Sequence, residues 1–303
     1  MMWKTSNERN VEMRGITGFR TAVAMMALVF AAGAAAAEVD NGPAPVKVGD
    51  VTVTLLSDGE SEGKTSLLID ASDDVLRKYA PEGTYASAFN AFLVRTPDKT
   101  VLVDTGFGRK LFDNLKALGV APEQVDIVLL THMHGDHTGG LLRDGKPAFP
   151  NAKVYVAEKE YDYWAMGAPE DQKKAVEPVA AYDKAVHPFE PGDLATAGIE
   201  LIPGIRAVAA YGHTPGHTLF MIDSKDRKLL IWGDIAHAMA VQMPVPDVAI
   251  KYDVDPRLAV ATRKAVLEYV AKNKIPVAGM HIPGAGIGTV SVSGEGYAFT
   301  PLP

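Results

Sequence analysis

The sequence predicts a protein of the α/β class, and three observations lead to this prediction. Short apolar runs bounded by Gly, Pro or Asp are typical of strands. Between them lie segments whose apolar residues recur every three or four positions, which is typical of helices. Side chains that bind metals follow several of the apolar runs. Because α/β proteins place functional groups at the carboxyl ends of strands, this order predicts a site along a sheet edge.

The predicted strands are short and mostly apolar. Residues 127–130 are the clearest case, since all four are apolar and suit a strand that is buried on both faces. The predicted strands are residues 46–57, 89–96, 100–104, 125–130, 152–157, 199–202, 207–211, 219–222 and 228–232.

Two helices are predicted from the spacing of apolar residues and from signals at the helix ends. Residues 111–118 carry leucines four and three positions apart, and Gly119 provides a natural helix C-terminus. Residues 255–274 form the second predicted helix. Its first turn contains Pro256, at a position where the missing N–H would have no helical partner.

The composition limits the possible classes of function. The 303 residues include 30 basic and 37 acidic ones, a formal net charge of −7, and no long run of Lys or Arg. A nucleic acid partner is not expected, because phosphate binding rewards a basic surface. The absence of cysteine excludes disulfides, a thiolate nucleophile, iron–sulfur ligation and cysteine-containing zinc sites. Any bound metal must therefore be held by His, Asp and Glu.

Residues 1–37 are predicted to be an export signal. Four basic residues precede an apolar stretch over residues 21–37, which ends in alanines before Glu38. An uncleaved membrane anchor is the alternative, but the stretch has only 17 residues and no basic stop follows it. Whether the true start is Met13 stays open.

Removal of this signal leaves residues 38–303 as one predicted domain. No internal repeat or low-complexity linker divides it. The domain keeps 26 basic and 35 acidic residues, a net charge of −9. We expect a periplasmic or secreted protein that has no stable membrane insertion after signal removal.

A dense group of metal-binding side chains directly follows the predicted strand at residues 125–130. His132, His134, Asp136 and His137 form an HxHxDH pattern. Three imidazoles and one carboxylate supply the nitrogen and oxygen ligands that divalent transition metals prefer. Glycines within and after the pattern let the backbone turn tightly enough for these side chains to converge. The alternative interpretation is a polar loop of solvated histidines, which does not account for the spacing.

Three further ligand-type residues follow apolar runs in the same way. They are His213, Asp234 and His281. Taken singly, each has another interpretation, as a core histidine or as an aspartate that caps a turn. Taken together with the HxHxDH pattern, the repeated order of strand and ligand-type residue favours one shared site.

Together these motifs resemble those of the metallo-β-lactamase-fold hydrolase superfamily. The resemblance rests, in chain order, on Asp104, HxHxDH at 132–137, GHTPGH at 212–217, GD at 233–234 and His281. Within the superfamily, the chain is most similar to methyl parathion hydrolase-like proteins, through residues 90–94, 149–152, 232–237 and 281–283. Residues 283–289 depart from that subgroup, in which an aromatic residue after the proline and a second late histidine are expected.

The resemblance implies a four-layer αβ/βα sandwich with the site along one edge. It also implies two metal ions. The ligands that it implies are His132, His134 and His213 for one ion, and Asp136, His137 and His281 for the other.

The same resemblance implies roles for residues around these ligands. Asp234 would bridge both ions. Asp104 would orient the ligand loop from behind, and His217 would be a hydrogen-bonding or packing residue. The role of His237 stays open between contact with the substrate and packing.

Such a ligand set implies metal-dependent hydrolysis. Two divalent ions about 3.5–4 Å apart lower the pKa of a bridging water toward neutrality and so provide hydroxide as the nucleophile. Asp136 would be both a ligand and the catalytic group that transfers protons. Zinc is the default ion for nitrogen and oxygen ligands, and Mn, Fe or Co also fit.

We therefore expect a secreted dinuclear hydrolase of esters, namely lactones, aryl esters or phosphotriesters. The resemblance favours these bonds over β-lactams, because lactamases of the superfamily generally have Cys or Ser in place of the bridging aspartate. A periplasmic β-lactamase and a non-catalytic metal-binding protein of the same fold are the alternatives.

Apolar residues near the predicted ligands bear on the choice of substrate. Phe107, Met133, Trp164, Met239 and Met243 either form a hydrophobic pocket or belong to the core. An acidic protein with such a pocket is expected to bind a small, neutral, hydrophobic ester or lactone rather than an anion. The natural substrate and the choice between a monomer and a homodimer stay open.

Overall fold

The computed structural model describes residues 44–167, 169 and 173–302, so the predicted export signal lies outside the described residues. The strands are β1 Val46–Val48, β2 Val51–Lys64, β3 Leu68–Ile69, β4 Thr84–Arg95, β5 Thr100–Val103, β6 Ile127–Leu129, β7 Leu142–Arg143, β8 Lys146–Pro147, β9 Lys153–Ala157, β10 Val186–Phe189, β11 Ile199–Ile202, β12 Ile205–Ala209, β13 Thr218–Ser224, β14 Arg227–Ile231, β15 Ala249–Ile250, β16 Val277–Ala278, β17 Ile287–Ser293 and β18 Gly296–Pro301. The α-helices are α1 Asp73–Tyr79, α2 Leu111–Ala117, α3 Gly135–Thr138, α4 Glu158–Asp162, α5 Glu177–Ala180, α6 Met239–Gln242 and α7 Pro256–Asn273.

Most of these strands form two mixed sheets of seven strands each. The first has the order β1-β2-β4-β5-β6-β9-β10 and the second the order β11-β12-β13-β14-β16-β17-β18. Neighbouring strands from β5 to β10 in the first sheet are parallel, as are β14 and β16 in the second. The other neighbours in both sheets are antiparallel.

The two sheets pack face to face, and helices cover their outer faces. Phe92 of β4 and Phe220 of β13 belong to one buried cluster, so the inner faces of both sheets share a core. Leu115 of α2 packs outside the first sheet, and Leu267 of α7 packs outside the second. The order of helix, sheet, sheet and helix confirms the predicted four-layer αβ/βα sandwich.

The all-apolar runs have a structural reason. In β6, Ile127 and Leu129 face the core between the sheets, whereas Val128 faces the helix layer outside. Because side chains alternate between the faces of a strand, a strand covered on both sides must be apolar at every position.

Some predicted boundaries are wrong. Residues 46–57 form a hairpin rather than one strand, because Gly49 adopts a φ of +60° in the turn between β1 and β2. β2 then continues to Lys64 and pairs with β4 across a bulge near Asp58. The sequence pattern also did not predict β10, β17 and β18, which are short or carry exposed polar residues.

Both predicted helices are confirmed. α2 ends shortly before Gly119, which has a φ of +68°. α7 begins after Asp255, whose side chain accepts a hydrogen bond from the Leu258 N–H at 3.0 Å. Among the described residues, no helix has both the length and the apolar character that a membrane span requires.

Candidate metal centre

The HxHxDH motif follows β6, where the first sheet ends, with His132 and His134 in the loop and Asp136 and His137 in α3. His132 and His137 are buried, whereas His134 and Asp136 are partly exposed. α3 begins at Gly135, directly after His134. This turn brings the rings of His132 and His137 to 3.9 Å between their centroids.

The second sheet brings the other three predicted ligands to the same place. His213 follows β12, Asp234 follows β14 and His281 follows β16. All three side chains are buried. Residues that are distant in the sequence therefore meet where strands of both sheets end.

Three histidines and Asp234 form the first group of facing ligand atoms. The Nδ1 atom of His134 lies 2.9 Å from Nε2 of His132 and 3.0 Å from Nε2 of His213. Oδ2 of Asp234 lies 3.2 Å from Nε2 of His213 and 3.6 Å from Nε2 of His132. These four side chains could hold one metal ion.

Asp136, His137 and His281 form the second group. Oδ2 of Asp136 lies 3.5 Å from Nε2 of His137 and 3.5 Å from Nε2 of His281. Asp234 also faces this group, with Oδ1 at 3.4 Å from Nε2 of His137 and Oδ2 at 3.1 Å from Nε2 of His281. The carboxylate of Asp234 therefore lies between the two groups.

Hydrogen bonds on the outer side fix three of the rings. His137 donates from Nδ1 to Asp104 at 2.7 Å, and His213 donates from Nδ1 to Asp253 at 2.8 Å. His281 donates from Nδ1 to the backbone oxygen of Ala88 at 2.8 Å. With the proton on Nδ1, each ring directs the lone pair of Nε2 into the cluster, as metal-binding histidines do.

The residues present fit two divalent ions. Nε2 of His137 and Oδ1 of Asp234 are buried and have no hydrogen-bond partner among the described residues. The facing ligand atoms are separated by 2.9 to 3.6 Å. Atoms that bind one ion at about 2.0–2.2 Å have about this separation.

Asp104 connects the end of β5 to the start of the HxHxDH loop. Its carboxylate accepts hydrogen bonds from the N–H of Thr131 at 2.8 Å and from the hydroxyl of Thr131 at 2.7 Å, besides the bond from His137. Burial raises the pKa of Asp104, while the facing His137 lowers it. The contacts are those of a group that orients the loop from behind.

His217 uses both ring nitrogens within the protein. Nδ1 donates to the backbone oxygen of Ala210 at 3.1 Å, and Nε2 accepts from the backbone N–H of Asp234 at 3.0 Å. Burial lowers the pKa of His217 to about 3, which favours the neutral ring. His217 therefore holds the backbone of Asp234 and has no nitrogen left to face the cluster.

His237, whose role the sequence left open, lies beside the second group. Its Nε2 is 3.0 Å from Oδ2 of Asp234, and its ring stacks on His281 with 4.4 Å between centroids. Burial lowers the pKa of His237 to about 4. Asp234, His237 and His281 form a further set of side chains that could hold a metal ion.

Charge coupling within the cluster sets the protonation of its members. Burial and, after it, the charge of the neighbouring His213 lower the pKa of His134 to about 3. Burial also acts against charge on His213, but the hydrogen bonds that its ring donates to the carboxylates of Asp234 and Asp253 raise its pKa to about 9. The surrounding imidazoles overcome burial at Asp234 and hold its pKa well below the usual range. Asp234 is therefore ionised at the centre of the cluster.

The comparison with known families agrees with this geometry. Residues 87–274 match the profile of the metallo-β-lactamase superfamily. The chain belongs to this superfamily. The matched range includes the HxHxDH motif, His213 and Asp234, and His281 follows it.

Several solved structures and curated proteins are similar to this chain. The solved structure of AbOPH, a hydrolase of the beta-lactamase superfamily, is 33% identical, has a TM-score of 0.77, and the similarity covers 86% of this chain and 97% of that one. AidC, a dizinc quorum-quenching lactonase, is 25% identical with a TM-score of 0.76, over 86% of this chain and 98% of that one. The N-acyl homoserine lactonase AiiA of Bacillus thuringiensis subsp. kurstaki is 26% identical over 211 residues, which are 60% of this chain and 76% of the relative.

Three residues behind the superfamily motifs were not found from the sequence. Glu160 of α4 contacts both histidine-bearing loops. Asp253 holds His213, as described above. Arg263 of α7 donates to the backbone oxygens of Ile235 at 2.7 Å and of Val248 at 2.7 Å, and so holds the segments on either side of α6.

Only Arg263 had a signal in the sequence. It lies on the apolar face of the predicted helix, four residues after Ala259 and four before Leu267, where a charged residue requires buried partners. In the sequence, nothing distinguishes Glu160 from Glu158. The two glutamates differ only in the contacts that they make in the folded chain.

A cavity of about 520 Å³ opens over Asp136, Asp234, His237 and His281. Its walls come from the distal parts of β2 and β4 and from neighbouring loops. The apolar and aromatic residues among the walls are Leu67, Tyr85, Phe89, Phe107 and Tyr252.

Of the five apolar residues considered from the sequence, one lines the cavity and four lie in or against the core. Phe107 lines the cavity. Met133 and Trp164 belong to the core outside the first sheet, and Met239 and Met243 belong to or pack against the core outside the second. Other wall residues of the cavity come from β2 and β4. The sequence did not predict that these two strands continue as a pair as far as the cavity.

Proposed function

We propose that this protein is a two-metal hydrolase of neutral esters and that lactones are its main substrates. The position of Asp234 carries the proposal, because its carboxylate faces both groups of ligand atoms at the floor of a cavity. A carboxylate in this position suits two ions held side by side. Lactonases among the relatives, one of them described as dizinc, support the choice of lactones.

Each predicted site residue then has a role. Bound divalent ions supply Lewis acidity and a water that ionises near neutral pH. Asp136 lies at the floor of the cavity with its side chain 19% exposed, so we assign proton transfer during ester cleavage to its carboxylate. The assigned ligands are His132, His134 and His213 for one ion, Asp136, His137 and His281 for the other, and Asp234 for both.

The cavity favours uncharged substrates with an apolar part. Leu67, Phe89 and Phe107 offer apolar surface, and Tyr85 and Tyr252 add aromatic rings. The volume of about 520 Å³ lies in the range of sites that bury small molecules. An acyl chain attached to a lactone ring can be buried against these walls. Aryl esters and phosphotriesters meet the same requirements and are the second candidate substrates.

The metal content is the first test. We expect purified protein to bind two divalent ions per chain at saturation, with zinc the default ion and Mn, Fe or Co also accepted, because seven ligand side chains exceed what one tetrahedral ion uses. Elemental analysis after dialysis against each metal measures the ratio. Saturation at one ion per chain would contradict the two-metal proposal.

The substrate preference is the second test. We expect kcat/KM for a long-chain N-acyl homoserine lactone to exceed kcat/KM for p-nitrophenyl phosphate by at least about tenfold, which corresponds to about 1.4 kcal/mol of transition-state stabilisation. The reason is that an acidic protein whose cavity walls are mostly apolar disfavours a dianion. The assay includes p-nitrophenyl acetate, a paraoxon-type triester and nitrocefin under one metal condition, with metal-stripped protein as the control.

The other outcomes of this assay separate the alternatives. Faster turnover of nitrocefin than of any ester would favour a β-lactamase. Two bound ions without turnover of any substrate would favour a non-catalytic metal-binding protein. Export through residues 1–37, periplasmic or secreted location and a homodimeric state stay predictions.

A further inference from the structure

Glu160 is a buried carboxylate whose four hydrogen-bond donors come from three parts of the chain. Its Oε1 atom accepts from the N–H of Met133 at 2.9 Å and from the indole N–H of Trp164 at 2.6 Å. Its Oε2 atom accepts from the hydroxyl of Thr214 at 2.6 Å and from the N–H of Gly216 at 3.0 Å. Three of these donors are N–H groups, which can only donate, so the arrangement suits an ionised carboxylate.

The partners of Glu160 lie directly beside proposed metal ligands. Met133 is between His132 and His134, and Thr214 follows His213. The first loop leaves β6 of the first sheet, whereas the second leaves β12 of the second sheet. One backbone hydrogen bond, from Thr218 N–H to Thr131 O, also connects these loops. Glu160 adds three bonds between them through one side chain.

The contact is close as well as polar. A Cβ atom on Gly216 would lie 2.3 Å from the backbone nitrogen of Glu160, so the second loop packs directly on α4. On the other side, the ring of Trp164 meets the ring of His134 edge to face at 5.4 Å between centroids. The same carboxylate that binds both loops therefore also holds the aromatic ring that packs on His134.

We propose that Glu160 is a positioning residue that sets the separation of His134 and His213 and thereby the affinity for the ion that these two histidines share. The inference rests on the proposed two-metal function. Hydrogen bonds to a charged group hold the two loops in place before the ion binds, so binding does not have to order them. Without the carboxylate, fewer hydrogen bonds fix the distance between the two loops, which come from different sheets.

The test is the substitution Glu160→Gln in the full chain. Glutamine has nearly the same size, but its NH2 group replaces one acceptor oxygen of the carboxylate. This NH2 group would face N–H or O–H groups that are themselves donors, so hydrogen bonds would be lost. Metal-free protein is titrated with Zn²⁺ alone in competition with a chromophoric chelator. We expect a Kd about 10- to 100-fold higher for one of the two ions, the scale found for groups that support metal ligands, and an unchanged Kd for the other.

Asp58→Asn is the matched control. Asp58 is also a buried carboxylate that accepts two backbone N–H bonds, from Phe107 at 2.9 Å and from Lys110 at 2.5 Å, but it does not contact the histidine-bearing loops. This variant is expected to lower the unfolding temperature of the metal-free protein and to leave both Zn²⁺ affinities unchanged. If Glu160 only stabilised the fold, Glu160→Gln would likewise lower the unfolding temperature and leave both Zn²⁺ affinities unchanged. That result would overturn the proposal.

Thr214→Val provides a second test from the other end of the contact. It removes one donor to Glu160 and keeps the shape of the side chain, so it also serves if Glu160→Gln does not fold. We expect Thr214→Val to bind the same ion more weakly. In the double variant Glu160→Gln, Thr214→Val, the loss of Zn²⁺ affinity should be smaller than the sum of the losses in the two single variants. The proposal would be overturned if Thr214→Val bound both Zn²⁺ ions as tightly as the parent protein and the losses of Zn²⁺ affinity in the two single variants simply added up in the double variant. A parent protein that binds one ion only would instead contradict the two-metal function, so the two failures are distinguishable.

Discussion

Replacement of Asp234 by alanine is expected to lower kcat/KM for a lactone by roughly three orders of magnitude, on the scale of losing a charge-stabilising group from a hydrolase site. The carboxylate is buried and lies 3.0 to 3.6 Å from the Nε2 atoms of five histidines. It is the negative charge common to both groups of ligands. The protein is expected to fold, because the hydrogen bond from the backbone N–H of residue 234 to His217 does not need the side chain.

The measurement is kcat/KM at saturating Zn²⁺, with circular dichroism as the test of folding. Asp223→Ala is the matched control, since Asp223 lies near the end of β13 and pairs with Lys228 at 3.3 Å away from the cluster. This control is expected to retain the parent activity. If Asp234→Ala stayed within a few-fold of the parent at saturating metal, Asp234 would not be shared by two ions.

Two histidines of the GHTPGH motif are expected to differ in metal content when each is replaced by alanine. His213→Ala should lose one of the two ions, because its Nε2 faces both His134 at 3.0 Å and Asp234 at 3.2 Å. His217→Ala should keep both ions, because its nitrogens are occupied by Ala210 and by the N–H of Asp234. Loss of these buried hydrogen bonds is expected to cost about 1–3 kcal/mol of stability and to lower kcat.

Elemental analysis, the free energy of unfolding and kcat together distinguish the two variants. His187→Ala replaces a histidine of β10 that stacks on Tyr155, outside the cluster, and serves as the control for the loss of an imidazole. The reverse pattern, with one ion missing from His217→Ala and two ions present in His213→Ala, would show that the roles of the two positions are exchanged.

The sequence by itself determined the class of fold and the order of its main elements. Residues 127–130 indicate a strand buried on both faces, and β6 is such a strand because it lies between two layers. The helical spacing over residues 255–274 and Pro256 in the first turn locate the start of α7 to within one residue. These signals succeed because strand periodicity and helix capping act between residues close in the sequence.

The sequence also identified the side chains that the structure brings into one cluster. His132, His213, Asp234 and His281 each follow a buried strand, and the strands of both sheets end at the same edge. The position after a strand is a local property, so it can be recognised before the sheets are known.

Only the tertiary structure decided which residues surround that cluster. Asp253 and Asp255 are two residues apart and look alike in the sequence, yet Asp253 holds His213 while Asp255 caps α7. Met133 lies beside two ligands but packs into the core, whereas Phe89 of β4 lines the cavity. These differences arise from contacts between segments that are distant in the sequence, and local periodicity carries no information about which distant segment a side chain meets.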